Sequence, residues 1–278
     1  DLVRTARPCI ATAHRSGLVK LWDATTGECR LDLVGHASRV NTATFSPDGA
    51  SVVTASSDGA VKIWNASTGE CRIKLTGHQH EVNSATYSHD GTCVVTASCD
   101  RSAKVWDATG GVCCLTLMGH RGDVASAMYS PDGAWVVTAS TDSLVKVWDV
   151  QRGTCRRTLV GHRFVVTSAQ YSPNGSRILT ASFDKTAKIW DAEPGTCRLT
   201  LGGHACLICS AAYSPDGGTI VTASSDESAK VWDAITGECR LTYTGHSNEV
   251  MAAVYSPDGA CIVTTSDKAA HIWDAATG

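Results

Sequence analysis

The chain has 278 residues, a formal net charge of -3 at pH 7 and an isoelectric point near 6.4. This charge balance argues against a nucleic-acid-binding role and against attachment to a membrane through a polybasic surface. No apolar run approaches the roughly eighteen residues of a membrane-spanning helix.

Seven tryptophans divide the chain into repeats of nearly constant length. Their spacing is 42 residues, except for 41 before the last, and the missing residue falls in the turn ahead of Asp267. A repeat of this size is too small to bury its own apolar face, so we expect the repeats to stack as a single domain over residues 1–278. The tryptophans are Trp22, Trp64, Trp106, Trp148, Trp190, Trp232 and Trp273.

Each repeat contains four short runs with the composition of β-strands. In the second repeat they cover residues 40–46, 51–55, 61–65 and 71–75, and they are rich in Val, Ile, Thr and aromatic residues. A Ser-Pro-Asp-Gly turn follows the first run, and a turn that ends in glycine follows the third. No segment has a sustained helical period. The sequence therefore predicts an all-β array of four-stranded antiparallel sheets.

The frame of each repeat resembles the WD-repeat (Trp-Asp repeat) β-propeller family. A Gly-His pair opens the frame, as at Gly77-His78, and a Trp-Asp pair closes it, as at Trp106-Asp107. The resemblance covers essentially the whole chain. It implies a seven-bladed WD-repeat propeller of four-stranded antiparallel blades around a central channel. The frame begins at Gly35, Gly77, Gly119, Gly161, Gly203 and Gly245.

In that family, a histidine, a serine or threonine, an aspartate and the tryptophan of a blade form a buried hydrogen-bond relay. The resemblance implies six such relays in this chain. They are His36, Ser56, Asp58, Trp64; His78, Ser98, Asp100, Trp106; His120, Ser140, Asp142, Trp148; His162, Ser182, Asp184, Trp190; His204, Ser224, Asp226, Trp232; and His246, Thr265, Asp267, Trp273.

Histidine, serine and aspartate in one place also match the composition of a catalytic triad. A triad is a single site, whereas this set recurs six times at the same place in the repeat. Recurrence favours a structural role, in which loss of one partner leaves buried polar groups unsatisfied at a cost of about 1–3 kcal/mol each. We therefore predict that the chain is not an enzyme and has no catalytic residue, no cofactor and no metal site.

Thirteen cysteines raise the question of a disulfide framework. Six occupy equivalent places in their repeats, and equivalent places in stacked sheets lie about 10 Å apart, beyond the reach of a disulfide. We expect small buried apolar residues in a reducing compartment, namely the cytoplasm, with the nucleus or an organelle-associated complex left open. The six are Cys29, Cys71, Cys113, Cys155, Cys197 and Cys239.

Two further features are weak candidates for chemistry. Cys206 and Cys209 form a single Cys-x-x-Cys, but residues three apart in an extended segment point to opposite faces, which disfavours metal or redox use. Trp135 falls within a strand and is interpreted as a packing residue and not as a ligand-stacking one.

The ends of the chain do not match the repeat frame. Compared with seven complete repeats, the chain lacks the equivalent of residues 238–252. Residues 4–8 span at most about 17 Å, so we expect residues 1–3 to be a stub of the first blade's inner strand and not the outer strand of the last blade. The first and last blades are then incomplete, and we expect the chain to be a fragment of a longer polypeptide.

Function is expected at the positions that vary while the frame stays constant. In WD-repeat proteins these positions line one face and the channel mouth, where partners often bind. One side of the expected surface is acidic with a single basic exception, and another side is apolar. The apolar side matches an interface, although Phe164 and Phe183 packing on each other is the alternative. The candidate binding residues are Arg39, Glu81, Asp123, Phe164, Val165, Phe183, Leu207 and Glu249.

We therefore predict a non-catalytic protein–protein interaction scaffold or adaptor within a multiprotein complex. Its partners are other proteins, with no nucleic acid and no direct membrane insertion. The alternative is a sensory or regulatory propeller of a larger signalling protein whose catalytic or nucleotide-binding domain lies outside this segment. A third class, an enzyme or carbohydrate-binding propeller, requires an asymmetric polar cluster, for which Asn41 and Asn83 are the only hint.

Overall fold

A computed structural model describes residues 9–267 and 269–278. Within these residues the chain forms 26 strands in seven antiparallel sheets, which we number as blades 1 to 7 in chain order. No helix in this part of the chain is long and apolar enough to cross a membrane. The proposed stub at residues 1–3 lies outside the described residues.

The strands of blades 1 to 3 are β1 Cys9–Ala13, β2 Val19–Asp23, β3 Cys29–Leu33; β4 Val40–Phe45, β5 Ser51–Ser56, β6 Val61–Asn65, β7 Cys71–Leu75; and β8 Val82–Tyr87, β9 Cys93–Ser98, β10 Ser102–Asp107, β11 Cys113–Met118. Those of blades 4 and 5 are β12 Val124–Tyr129, β13 Trp135–Ser140, β14 Val145–Asp149, β15 Thr154–Leu159; and β16 Val166–Tyr171, β17 Arg177–Ser182, β18 Thr186–Asp191, β19 Cys197–Gly202. Those of blades 6 and 7 are β20 Ile208–Tyr213, β21 Thr219–Ser224, β22 Ser228–Asp233, β23 Cys239–Thr244; and β24 Val250–Tyr255, β25 Cys261–Ser266, β26 Ala270–Asp274.

Chain order is also sheet order in every blade, so each blade is a simple meander. Blades 2 to 6 have four strands, and blades 1 and 7 have three strands within the described residues. The predicted fold class, an all-β seven-bladed propeller with incomplete first and last blades, is confirmed. Short turns closed by glycine, such as Ser46 to Gly49 with a 2.8 Å backbone hydrogen bond, make the meander possible.

The chain forms two compact units, residues 1–127 and residues 128–278. In the N-terminal unit β1 packs on β4, and β4 and β5 pack on β8. In the C-terminal unit β13 packs on β16, β17 on β20 and β21 on β24. Consecutive sheets therefore stack face to face within each unit. The prediction of one domain over residues 1–278 stays a prediction.

The apolar core lies between consecutive sheets. Between blades 1 and 2, the side chains of Leu21 and Leu33 share one buried cluster with Val52 and Trp64. Trp64 is only 2% exposed, and the same holds for its counterparts in the next blades. Each repeat thus buries its apolar residues only by packing on a neighbour, as the repeat length predicts.

The tryptophan also explains the glycine of the Gly-His pairs at Gly35 and Gly161. A Cβ placed on Gly161 would lie 2.9 Å from Cη2 of Trp190, and one on Gly35 would lie 3.2 Å from Cη2 of Trp64. A side chain at this position would therefore overlap an indole ring that is held in the core. The glycine is required because the ring covers it.

The expectation that the six repeated cysteines are buried is wrong. All six thiols are exposed, at the start of the outer strands. In blade 2 a β-bulge lies between Ile63 and Trp64, where Trp64 pairs with Cys71. The outer strand is the edge of its sheet, and its first residues are exposed, with Leu75 at its end buried.

Candidate functional site

The predicted relay is present in blade 2, and it links three elements of the sheet. Nδ1 of His36 lies 2.9 Å from Oδ2 of Asp58, and Nε2 lies 2.7 Å from Oγ1 of Thr54. The indole N–H of Trp64 donates to the same Oγ1 at 2.9 Å. The loop before β4, the strand β5 and the strand β6 are thereby joined through one histidine.

The hydrogen bonds define the protonation state of the relay. Burial favours the neutral imidazole of His36, and the carboxylate of Asp58 can only accept, so Nδ1 carries the proton and Nε2 accepts from the threonine hydroxyl. Nδ1–H then donates to the aspartate, which leaves a neutral imidazole next to a carboxylate. Burial lowers the pKa of the relay histidines, against the raising effect of the paired aspartates. This is found for His36, His78, His162 and His204.

The relay aspartates are held in the ionised form. Burial opposes ionisation of Asp100, but hydrogen bonds from the Ser102 hydroxyl, His78 and the Gln79 N–H outweigh it and lower the pKa to about 2. Asp226 reaches a pKa of about 2 in the same way, with Ser228 and His204 as donors. Each carboxylate therefore caps the loop that carries its histidine.

The serine assignment in the predicted relay is wrong. The bridging hydroxyl belongs to Thr54, two residues before Ser56. Ser56 donates to the carbonyl of Arg39 at 2.8 Å and accepts from the N–H of Asp58 at 3.1 Å. Residues two apart on a strand share a face, so both point towards the histidine loop, but only the threonine lies level with the indole ring.

The same correction holds in the other blades. In blades 3, 5 and 6 threonine lies 2.7–2.8 Å from the histidine and 2.8–2.9 Å from the indole nitrogen. In blade 4 Trp148 donates to Thr138 at 2.8 Å, and in blade 1 Trp22 donates to Thr12 at 2.8 Å. All seven repeats have a threonine at this position. This recurrence indicates the bridging residue, and it was not recognised from the sequence. The bridging residues are Thr54, Thr96, Thr138, Thr180, Thr222 and Thr264, and the serines they replace are Ser56, Ser98, Ser140, Ser182 and Ser224 together with Thr265.

Blade 7 has only part of the relay. His246 bonds to Thr264 at 2.7 Å and Trp273 donates to the same oxygen at 2.7 Å, but the buried Nδ1 of His246 has no hydrogen-bond partner among the described residues. The sequence before Asp267 is one residue shorter than in the other repeats. Ser266 pairs with Val250 as Ser98 pairs with Val82, so Ser266, not Thr265, is the equivalent of the relay serine.

The relay has no accessible nucleophile of the triad type. Ser56 makes its hydrogen bonds to the backbone and not to His36, and Thr54 is fully buried. A substrate cannot approach either oxygen without displacing the tryptophan. In the described residues, no group of three or more His, Cys, Asp or Glu side chains is arranged to hold a metal ion. The relay geometry supports a structural role.

Asn41 and Asn83 link consecutive blades of the N-terminal unit. Each is the extra residue of a β-bulge in its inner strand. Nδ2 of Asn41 donates to the carbonyl of Val82 at 2.8 Å, and Nδ2 of Asn83 donates to that of Val124 at 2.8 Å. Because these amides bind backbone carbonyls, they do not form the asymmetric polar cluster that a carbohydrate site requires.

In the N-terminal unit the structure brings Glu81 and Asp123 together around one thiol. The N–H of Cys99 donates to the carbonyl of Glu81 at 2.9 Å. Burial raises the pKa of the Cys99 thiol, and the carboxylates of Asp123 and Glu81 raise it further. Arg39 is exposed on the neighbouring blade, where its carbonyl accepts from Ser57 at 2.9 Å.

In the C-terminal unit the predicted apolar residues lie on blades 5 and 6. The N–H of Phe183 donates to the carbonyl of Val165 at 2.9 Å, which makes these two residues neighbours. Phe164 is 62% exposed, so the alternative of burial against Phe183 does not hold for it. Leu207 and Phe183 are half-buried. We call Phe164, Val165, Phe183 and Leu207 the apolar surface.

Two further apolar residues of the C-terminal unit are exposed. Val160, at the end of the outer strand before the Gly161-His162 pair, is 71% exposed. Met251, the extra residue of the bulge in β24, is 41% exposed. Glu249 is exposed, and its charge contributes to raising the pKa of the Cys209 thiol, after burial. The predicted binding role of these residues stays a prediction.

Comparison with protein families identifies the repeat. The family model described as "WD domain, G-beta repeat" matches residues 27–65, 69–107, 111–149, 153–191, 195–233 and 237–274. A search of curated proteins found no match. The matched segments cover most of the chain, and each ends one residue after a repeat's tryptophan, so the chain belongs to the WD-repeat family.

Proposed function

We propose that this chain is a non-catalytic scaffold or adaptor that binds other proteins within a multiprotein complex. WD-repeat propellers generally bind other proteins. The observation that carries the proposal here is the apolar surface of the C-terminal unit. Phenylalanine occurs only three times in the chain, and two of the three lie on this surface. Exposed apolar groups of this kind mark protein interfaces.

The relay residues are used in internal hydrogen bonds and Phe164 of the apolar surface is exposed, and this separation supports the proposal. In blade 5 the relay residues His162, Thr180, Asp184 and Trp190 make hydrogen bonds to one another, whereas Phe164 is 62% exposed. The six repeated cysteines carry free thiols, which supports a reducing compartment, and we propose the cytoplasm. We propose neither nucleic acid nor direct membrane insertion, in keeping with the net charge of -3.

The apolar surface is tested by photo-crosslinking followed by affinity measurement. p-Benzoylphenylalanine at position 164 captures the protein that contacts this surface, and the captured protein is then purified. We expect Phe164→Ala and Phe183→Ala each to raise its Kd by about tenfold or more, because aromatic anchors dominate interface energies. The melting temperature of each variant is measured alongside.

Ile235→Ala is the matched control. Ile235 is 69% exposed in the same unit but lies in the turn between β22 and β23. Its replacement should leave the Kd unchanged. The proposal is wrong if both phenylalanine variants fold normally and bind the captured protein as tightly as the unmodified chain.

A further inference from the structure

A cleft between blades 4 and 5 in the C-terminal unit has the chemistry of a binding site. Its volume is about 530 Å³, compared with about 330 and 470 Å³ for the clefts at equivalent places between blades 2 and 3 and between blades 6 and 7. Trp135 lines this cleft at the position where the other two have Ser51 and Thr219. An aromatic side chain has therefore replaced a hydroxyl in its wall.

One wall of the cleft carries a hydroxyl group that makes no hydrogen bond within the described residues. In the cleft between blades 6 and 7, the hydroxyl of Tyr255 lies 2.9 Å from Oγ1 of Thr219. Tyr171 occupies the place of Tyr255 here and is only 8% exposed. Trp135 has no hydroxyl to offer, and Tyr171 makes no side-chain hydrogen bond within the described residues. The Tyr171 hydroxyl lines the cleft and can accept or donate a hydrogen bond to a bound ligand.

The charges that line the cleft are predominantly negative. Asp132, Asp191 and Glu193 contribute carboxylates, and Arg157 contributes one guanidinium. Arg157 and Glu193 neutralise each other through a 2.7 Å ion pair. Asp191 has only a distant cation, 3.8 Å away in Arg198. Two carboxylates therefore remain uncompensated beside an aromatic wall.

We propose that this cleft binds an arginine side chain of a partner peptide. The planar guanidinium stacks on the indole of Trp135, as guanidinium groups do on aromatic faces. Its N–H groups donate to Asp132 and Asp191, and they can donate to the hydroxyl oxygen of Tyr171. This site shares no residue with the apolar surface, so it does not depend on the proposed function.

The test uses the 278-residue protein and two fluorescein-labelled peptides. One is Gly-Gly-Arg-Gly-Gly, and the other has citrulline, which has the shape of arginine without its charge. Fluorescence anisotropy should show saturable binding of the arginine peptide, with the citrulline peptide at least about tenfold weaker. Equal affinity for the two peptides, or no saturable binding of the arginine peptide, would overturn the proposal.

Substitutions that introduce the residues found at equivalent positions of other repeats test whether the peptide binds in this cleft. Trp135→Ser introduces the residue found at Ser51, and Tyr171→Phe the residue found at Phe45. We expect the first to weaken arginine-peptide binding by at least about tenfold and the second by a few-fold. Tyr213→Phe removes a buried unpartnered hydroxyl outside this cleft and should have no effect. Unchanged binding by a folded Trp135→Ser variant would place the peptide elsewhere.

Discussion

At the scale of single residues, one threonine per blade holds the relay together. Its oxygen accepts from the indole and its proton goes to the histidine, so two buried polar groups depend on one side chain. The neighbouring serine satisfies backbone groups at the end of the same strand. The two hydroxyls are two residues apart but make different hydrogen bonds. Substitutions at the two positions should therefore lower the free energy of unfolding by different amounts.

Replacement of Thr180 by valine tests the assignment of the bridging hydroxyl. Valine keeps the shape but leaves Nε2 of His162 and the indole N–H of Trp190 without partners. We expect the free energy of unfolding to fall by roughly 2–4 kcal/mol. Urea denaturation of the variant and of the parent gives this difference.

Ser182→Ala is the comparison variant in the same blade. It removes an acceptor for the N–H of Asp184 but leaves the histidine and indole paired. Its loss of stability should be about 1 kcal/mol. A larger loss from the serine than from the threonine variant would contradict the corrected relay.

At the scale of the blade, the Gly-His pair depends on close contact between a loop and an indole ring. The ring of Trp190 is 2% exposed and Nε1 is tied to Thr180, so the ring has no freedom to move away from Gly161. The glycine is therefore part of the packing between loop and sheet. It is not a flexible element.

We expect Gly161→Ala to destabilise the protein by about 1–3 kcal/mol, because its Cβ would lie 2.9 Å from Trp190. Thermal unfolding followed by circular dichroism measures the effect. Gly202→Ala is the control, since a Cβ at Gly202 meets nothing within 4 Å. If both variants have the same melting temperature, the contact with the indole does not explain the glycine.

At the scale of the whole molecule, the repeated relay makes stability depend on pH. Burial lowers the pKa of four relay histidines below the ordinary value of 6.5. The unfolded chain then binds protons that the folded chain does not, so acid favours unfolding. This contribution to stability is fully present above pH 6.5 and is lost as the pH falls below it.

The free energy of unfolding should therefore fall as the pH is lowered from about 6.5 to 5.5. A second loss should follow below about pH 4, where Asp100 and Asp226, with a pKa of about 2 in the folded state, become protonated on unfolding. Urea titrations at constant ionic strength give the profile. His89→Gln, at an exposed position, should leave it unchanged. Stability that is constant or rises towards pH 5.5 would show that the histidines are not held neutral.

The sequence alone was sufficient for the family, the number of blades and their strands. These features rest on short-range chemistry that recurs in every repeat: turn residues, alternating β-branched residues and the Gly-His and Trp-Asp pairs. It also placed Phe164 in an exposed loop. Repetition strengthens these sequence patterns, because the same residue types recur at the same positions of every repeat.

Only the tertiary structure decided which of two equivalent-looking side chains makes a contact. A bulge makes Asn41 an extra residue in its strand, and its amide bonds to the next blade, which breaks the two-residue alternation on which strand reasoning depends. The depth of the indole ring selected Thr54 over Ser56. Nδ1 of His246 has no hydrogen-bond partner among the described residues, unlike Nδ1 of His36. Each of these outcomes depends on distances between strands, which the order of residues along one strand does not contain.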